Sequence, residues 1–246
     1  MDGCRILPWD TRFFGFPIGR LEAPGLQAGA MGEVDEWCRR EGIRCLYWLV
    51  GSDDAASIRA AERGGFRLVD LRVTCAGRPG QTPLAAGAPV SVRAYSSPDL
   101  PAMRAIGRSA FVGTTRFFAD TRFPVQRVIE MYDTWVVQSC SGDAQHVLVA
   151  EADGMVAGFV TCHLDAGRAG RIGLTAVSGA HQGAGIGLAL VRGALAWFQS
   201  AGAATVSVVT QGHNTRAQRL YQRCGLRTEA VQLWYHYWPD SKQGIA

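Results

Sequence analysis
With 246 residues, 48% of them hydrophobic and 19% charged, the chain has ordinary globular composition and length for one large or two small domains with buried cores. Its net charge of +4 comes from scattered Lys and Arg, which argues against nucleic acid as the partner yet would not repel an anionic cofactor. The seven cysteines form no Cys-x-x-Cys pair, the first residues carry no leader-like apolar core, and no apolar run reaches membrane-spanning length; the expectation is a soluble cytoplasmic protein with reduced packing thiols, no metal and no membrane contact.

In chain order, Leu7-Pro8-Trp9-Asp10 and Phe13-Phe14-Gly15-Phe16-Pro17 predict an aromatic loop over apolar surface, with short strands on either side. A helix is predicted over 30–41 with Gly42 as its stop, then a strand over 44–50. Asp53 or Asp54 caps a helix through Arg63, Gly64-Gly65 ends it, and 66–75 alternates as a strand. Gly, Pro and Ala over 77–89 read as a linker. The expected organisation is therefore a small α/β lobe at 1–76, the linker at 77–89, and a larger domain at 90–246.

The larger domain opens with a strand at 90–94. Ser97-Pro98-Asp99 then starts a helix to about Ala110. Residues 111–124 form an aromatic and Arg-rich loop, and a helix follows with Val128, Met131, Tyr132 and Trp135 on one stripe. Strands at 146–152 and 155–164 meet at the Asp153-Gly154 hairpin signal, and a third covers 170–177. A helix over 185–201 stops at Gly202, and Thr205–Thr210 is a strand. Asn214 caps a helix to Arg223, and 226–238 supplies one or two last strands. The pattern predicts an α/β fold with a mixed central sheet flanked by helices. Asp54, Gly65 and Phe66 stand 160 residues before Asn214, Gly225 and Leu226, so the small lobe reads as a degenerate half of the same fold. It has Ala61 where the later copy has Tyr221, and no Gly-rich turn precedes it.

The most informative stretch is the turn between the strand ending at Val177 and the helix from Gly185. A Gly-rich turn at a helix start offers backbone N–H groups and the positive end of the helix dipole to a phosphate. A P-loop is excluded because no Lys is near, and a dinucleotide fingerprint fails because Leu188 stands where its third Gly belongs. What remains is Gln182-Gly183-Ala184-Gly185-Ile186-Gly187, followed by Asn214-x-x-Ala217-x-x-x-Tyr221-x-x-x-Gly225. Steps of three and four place Asn214, Ala217 and Tyr221 on one helix face.

Together these motifs resemble the acetyl-CoA site of the GCN5-related N-acetyltransferases (GNAT), over about residues 170–226. The resemblance implies a GNAT fold, with the small lobe as a partial GNAT unit, and acetyl-CoA as co-substrate. It implies that Gln182, Gly183, Ala184, Gly185, Ile186 and Gly187 bind the pyrophosphate without a metal. Thr175, Ala176 and Val177 would offer backbone groups to pantetheine and the acetyl oxygen, Asn214 would bond the arm, and Ala217 would let it approach. Tyr221 would be the general acid on the departing thiolate. His163, Glu151, Asp165, His181 and His213 are all candidates to take the proton from the amine, with a water relay as the alternative.

Leu7-x-Trp9-Asp10-x-x-Phe13-Phe14-Gly15 and Thr210-Gln211-x-x-Asn214 resemble the dTDP-fucosamine acetyltransferase family, whose acceptor is a nucleotide-linked amino sugar. On that resemblance Arg116, Phe117, Phe118 and Asp120 would shape the acceptor site; a lid packed on its own core is the alternative. Acetylation of another small amine (an antibiotic or amino acid) or of a protein amine also stays open, as does a non-catalytic acyl-CoA-binding module. The expected partner is a small-molecule amine, with a homodimer allowed for.

Overall fold
A computed structural model describes residues 3–22, 31–80 and 90–239. The linker expected at 77–89 therefore lies largely outside the described residues, as does Ala30 of the first predicted helix. The chain runs β1 (Cys4–Ile6), α1 (Pro8–Phe14), β2 (Ile18–Leu21), α2 (Met31–Arg40), β3 (Cys45–Gly51), α3 (Ala55–Arg63) and β4 (Arg67–Gly77). It continues with β5 (Ser91–Ala94), α4 (Leu100–Ala110), α5 (Arg116–Ala119), α6 (Val125–Gln138), β6 (His146–Ala152), β7 (Met155–Leu164) and β8 (Ala169–Val177). Then come α7 (Ile186–Ser200), β9 (Thr205–Gln211), α8 (Thr215–Arg223) and β10 (Arg227–Tyr237).

Two compact units divide these elements: Met1–Arg72 with Ala119–Phe123 and Val231–Ala246, and Val73–Phe118 with Pro124–Ala230. In the first unit, β1 pairs antiparallel with β2, β2 runs parallel to β3 (Ile18 opposite Cys45), and β3 is antiparallel to β10 (Tyr47 opposite His236). Its core gathers Trp37, Leu46, Trp48, Phe66, Tyr235 and Tyr237, and Tyr237 donates to Asp35 at 2.5 Å.

The second unit carries the antiparallel run β5-β6-β7-β8, with β9 parallel to β8. Asp153 and Gly154 both take positive φ (52° and 74°), the twist a two-residue hairpin needs. Helices cover both faces of this mixed sheet. Leu190, Val191, Ala194 and Phe198 of α7 pack on Val160, Ile172, Val206 and Val208. Met103, Ile106 and Val136 pack on Val149, Phe159 and Ala176 from the other side. At the start of α4, Ser96 and Asp99 close a capping box, and Arg93 grips the Asp99 carboxylate with both terminal nitrogens (2.7 and 2.8 Å).

Two expectations are corrected. The aromatic stretch after Leu7 is a helix, α1, because Pro8 sits at its first turn and Gly15 ends it at φ +80°. The loop at 111–124 holds a further helical turn, α5.

The 160-residue echo extends well beyond its motifs. β3, α3 and β4 have the same lengths as β9, α8 and β10 at that offset throughout (205−45, 215−55, 227−67). Asp54 caps α3 by accepting from Ser57 N as Asn214 caps α8 by accepting from Ala217 N. Gly65 and Gly225 take φ of 82° and 87°, and Phe66 N and Leu226 N close back onto Ala61 O and Tyr221 O.

Candidate active site
The site grows from a defect in the second unit's sheet. Val160 of β7 opposes Thr175 of β8, but Cys162 opposes Ile172, so one extra residue of β8 is accommodated at Gly173-Leu174. Such a bulge turns side chains over and bends its strand. Ile172 faces the α7 cluster, whereas Leu174 and Ala176 face the α4/α6 cluster. The displaced amide of Leu174 donates to the buried Thr161 Oγ1 at 2.8 Å.

Beyond the bulge the parallel ladder between β8 and β9 stops. Its pairs run from Ala169–Thr205 to Ile172–Val208, although the strands continue to Val177 and Gln211. The strands thus open into a wedge whose β8 wall is Gly173–Val177. Backbone groups there have lost their ladder partners across the wedge and can serve an extended ligand. The turn stands at the end of this wall. Gly183 and Gly185 take φ of 91° and 82°, a region open to glycine at no steric cost, and Gly185 is the N-cap of the 15-residue α7. Gln182, Gly183 and Ala184 are exposed. Gly187 has a different reason for being small: a β-carbon there would meet Leu220 Cδ2 of α8 at 3.2 Å.

α8 brings the second motif to the same wedge. Asn214 accepts from Ala217 N at 3.1 Å, so its carboxamide oxygen serves its own helix. Arg216 donates to Gln182 Oε1 at 2.5 Å, placing a cation against the glycine turn that has none of its own. Tyr221 is 5% exposed, inside the α7 cluster with Cys75 and Cys224. Burial pushes its phenol up to about 12, against an opposing contribution from the Thr175 hydroxyl. The phenol therefore keeps its proton throughout the range in which an enzyme works.

Of the residues predicted for the acceptor, Arg116, Phe117 and Phe118 belong to the second unit and Asp120 to the first. Phe117 is buried at 4% exposure, and the Arg116 guanidinium stacks 4.1 Å from its ring centroid. Asp120 Oδ2 accepts from His236 Nδ1 and Trp238 Nε1, both at 2.8 Å. Burial raises this carboxyl, but the His236 and Trp238 hydrogen bonds outweigh it and hold Asp120 below its ordinary value. Phe118 is half-buried. Asp120 thus joins His236 and Trp238 within its own unit, and Arg116 and Phe117 stack on each other.

The proton-accepting candidates separate as well. Glu151 pairs with Arg93 at 2.7 Å, Asp165 accepts from Ala169 N at 2.8 Å, and His181 lies beside Ser178 in the turn. His213 is exposed in the turn before α8. Only His163, on β7, adjoins the bulge.

Residues 111–226 match the Acetyltransferase (GNAT) family. They form a GNAT acetyltransferase domain. The chain is 29% identical to the dTDP-fucosamine acetyltransferase of Escherichia coli over 94% of its own length and 96% of that protein. It is also 29% identical to the spore coat polysaccharide biosynthesis protein SpsD of Bacillus subtilis, over 58% of this chain and 49% of that one. A GCN5-related N-acetyltransferase from Sphaerobacter thermophilus superposes with a TM-score of 0.71 at 19% identity, over 96% of this chain and 76% of the other; this last likeness speaks to the fold alone.

Within this GNAT domain, the bulge, the Thr161–Leu174 hydrogen bond and the Arg216–Gln182 contact had no signature in the sequence. The nearest hint was the spacing of Thr161 and His163 on β7, the strand that precedes β8. It says nothing of the extra residue across the ladder.

Proposed function
We propose that the protein transfers acetyl from acetyl-CoA to the amino group of a nucleotide-linked (dTDP or UDP) amino sugar. The observation that carries the donor half is the wedge between β8 and β9, which ends on an exposed glycine turn and has a protonated tyrosine in its wall. A slender pantetheine arm suits such an opening, because Gly173–Val177 can bond it as a strand would. The N–H groups of Gln182–Gly187 suit its pyrophosphate, with Arg216 adding positive charge beside them. Small Ala217 leaves room on the α8 side, the Asn214 NH2 group serves the arm, and Tyr221 stands for the sulfur. The amine attacks the acetyl carbonyl carbon, the C–S bond breaks, and Tyr221 stabilises the departing thiolate.

The acceptor half is supported by the near full-length likeness to the E. coli enzyme, and by a second relative named for polysaccharide biosynthesis. In this reading, residues 90–246 bind the donor and 1–76 form a smaller lobe derived from half of the same fold. The repeated caps and turns of β3-α3-β4 and β9-α8-β10 support that derivation, and Ala61 in place of Tyr221 leaves the earlier copy without the acid.

Thiol release from acetyl-CoA, measured against a panel of amines, tests the proposal. Turnover of a TDP- or UDP-amino sugar with kcat/KM well above that for simple amines, aminoglycosides, amino acids and peptides is the expected outcome. Turnover of a simple amine with none of the nucleotide sugars would overturn the acceptor assignment.

A further inference from the structure
The proposed reaction leaves one proton without a destination. An alkylammonium acceptor must lose a proton before its nitrogen can attack, and Tyr221, which holds its own proton, cannot take it. The group that can lies on the other side of the bulge. His163 is half-buried on β7, two residues from Thr161 and on the same face of the strand.

A β-carbon built on Gly173 would come within 2.6 Å of both His163 Nε2 and Thr161 Oγ1. The imidazole therefore occupies space that exists only because residue 173 is glycine. Gly173 is the first β8 residue past the last β8–β9 pair, so Nε2 stands at the throat of the wedge. Thr161 Oγ1 accepts from Leu174 N at 2.8 Å and lies 3.5 Å from Nε2. With the hydroxyl oxygen engaged by the bulge amide, its proton is directed toward the ring or toward a ligand beside it.

We propose that His163 Nε2 takes the proton from the acceptor ammonium, with Thr161 holding the ring against the bulge. This rests on the reading that the wedge carries the thioester. The ammonium gives one proton to Nε2, and the freed nitrogen attacks the acetyl carbon. As the tetrahedral adduct collapses, the C–S bond breaks and a second nitrogen proton goes to the thiolate. The amide, the free thiol and a proton on His163, later released to water, complete the balance.

The surroundings suit a base. Burial is the main influence lowering His163, and the Arg171 charge on β8 adds to it, while the charge and backbone carbonyl of Asp143 oppose them more weakly. The ring is thus neutral at neutral pH. Nε2 is the nitrogen turned to the bulge and is therefore the one placed to accept a proton.

The test uses the full chain, acetyl-CoA, the nucleotide amino sugar, and ethylamine as a small-amine probe from pH 6 to 10. His163→Gln is expected to lower kcat/KM for both amines at least about 100-fold at pH 7, with acetyl-CoA affinity by calorimetry unchanged. In the wild type, kcat/KM levels off above the ordinary histidine value of 6.5. In His163→Gln it keeps climbing to the amine's own ionisation, where the two curves converge. Imidazole added to His163→Ala should restore transfer, which a packing role would not produce. Parallel pH profiles, or a loss within threefold at pH 7, would overturn the assignment. Turnover of ethylamine but not of the nucleotide sugar would sink the acceptor reading, and the ethylamine profiles would still decide the role of His163.

Discussion

Replacing Tyr221 with Phe removes one oxygen and leaves the ring in its apolar cluster, so the fold should persist with little change in melting temperature. The size of the kinetic effect follows from the environment of the phenol. Burial places it at about 12, while a thiol titrates at about 8.5, so complete proton transfer to the thiolate is uphill by about 5 kcal/mol. In the proposed mechanism Tyr221 therefore acts chiefly by donating a charge-assisted hydrogen bond, worth about 1.5–3 kcal/mol. That corresponds to a loss of roughly 10- to 150-fold in kcat. The assay is steady-state thiol release at saturating amine, paired with calorimetry of acetyl-CoA binding, which should be unaltered. Retention of kcat within tenfold of wild type would refute the reasoning. So would an alkaline limb near pH 9 that disappears in the variant, because a phenol at about 12 cannot produce one.

Gly185→Val places a β-branched residue at φ +82°, where such side chains are strained by about 1–2 kcal/mol; acetyl-CoA affinity should fall at least tenfold with the helical circular dichroism retained, and an unchanged Kd would remove the turn from the donor site. Asp120→Ala leaves buried His236 Nδ1 and Trp238 Nε1 without their acceptor; a loss of about 2–3 kcal/mol in urea unfolding is expected, and a loss under 0.5 kcal/mol, by the same rough scale, would show the network to be dispensable. Asp133 is held down to about 2, first by Arg104, with its burial opposing and Arg108 adding. Because its folded value lies below the unfolded one, its stabilising contribution is complete above about pH 4 and is lost as pH falls through about 2. The ceiling is about 2.4 kcal/mol, roughly halved because both guanidinium groups are substantially exposed. Asp133→Asn should flatten stability between pH 5 and 2.5, and a slope equal to wild type would count against the ion pair.

Much of the molecule was readable because its signals are local. Gly42, Gly65, Gly202 and Gly225 adopt the positive φ values that glycine alone takes at no steric cost, so they end helices wherever the chain folds. Asp54 and Asn214 cap because a short side-chain oxygen reaches the first-turn amides. The spacing of Gln182, Gly185 and Gly187, and of Asn214, Ala217 and Tyr221, survived as a turn and a helix face for the same reason. The aromatic stretch after Leu7 misled because aromatic density speaks of burial and says little of backbone conformation. There, Pro8 and Gly15 were the better guides.

Other features depended on residues far apart in the chain. No pattern in β8 reveals that it has one residue more than β7 can match, since a bulge belongs to a pair of strands. Its consequences are therefore equally non-local: the wedge past Ile172, the Leu174 amide on Thr161, and His163 over Gly173. Asp120 is predicted at the acceptor site because a carboxylate among aromatics suits one. Only folding brought His236 and Trp238, more than a hundred residues away, onto its oxygen. The sequence by itself determined which elements form, where they end and which family of chemistry their motifs resemble, because caps, turns and helix faces are short-range. The tertiary structure alone decided which side chains remain available for that chemistry, because burial and hydrogen-bond partners are set by what packs across the sheet.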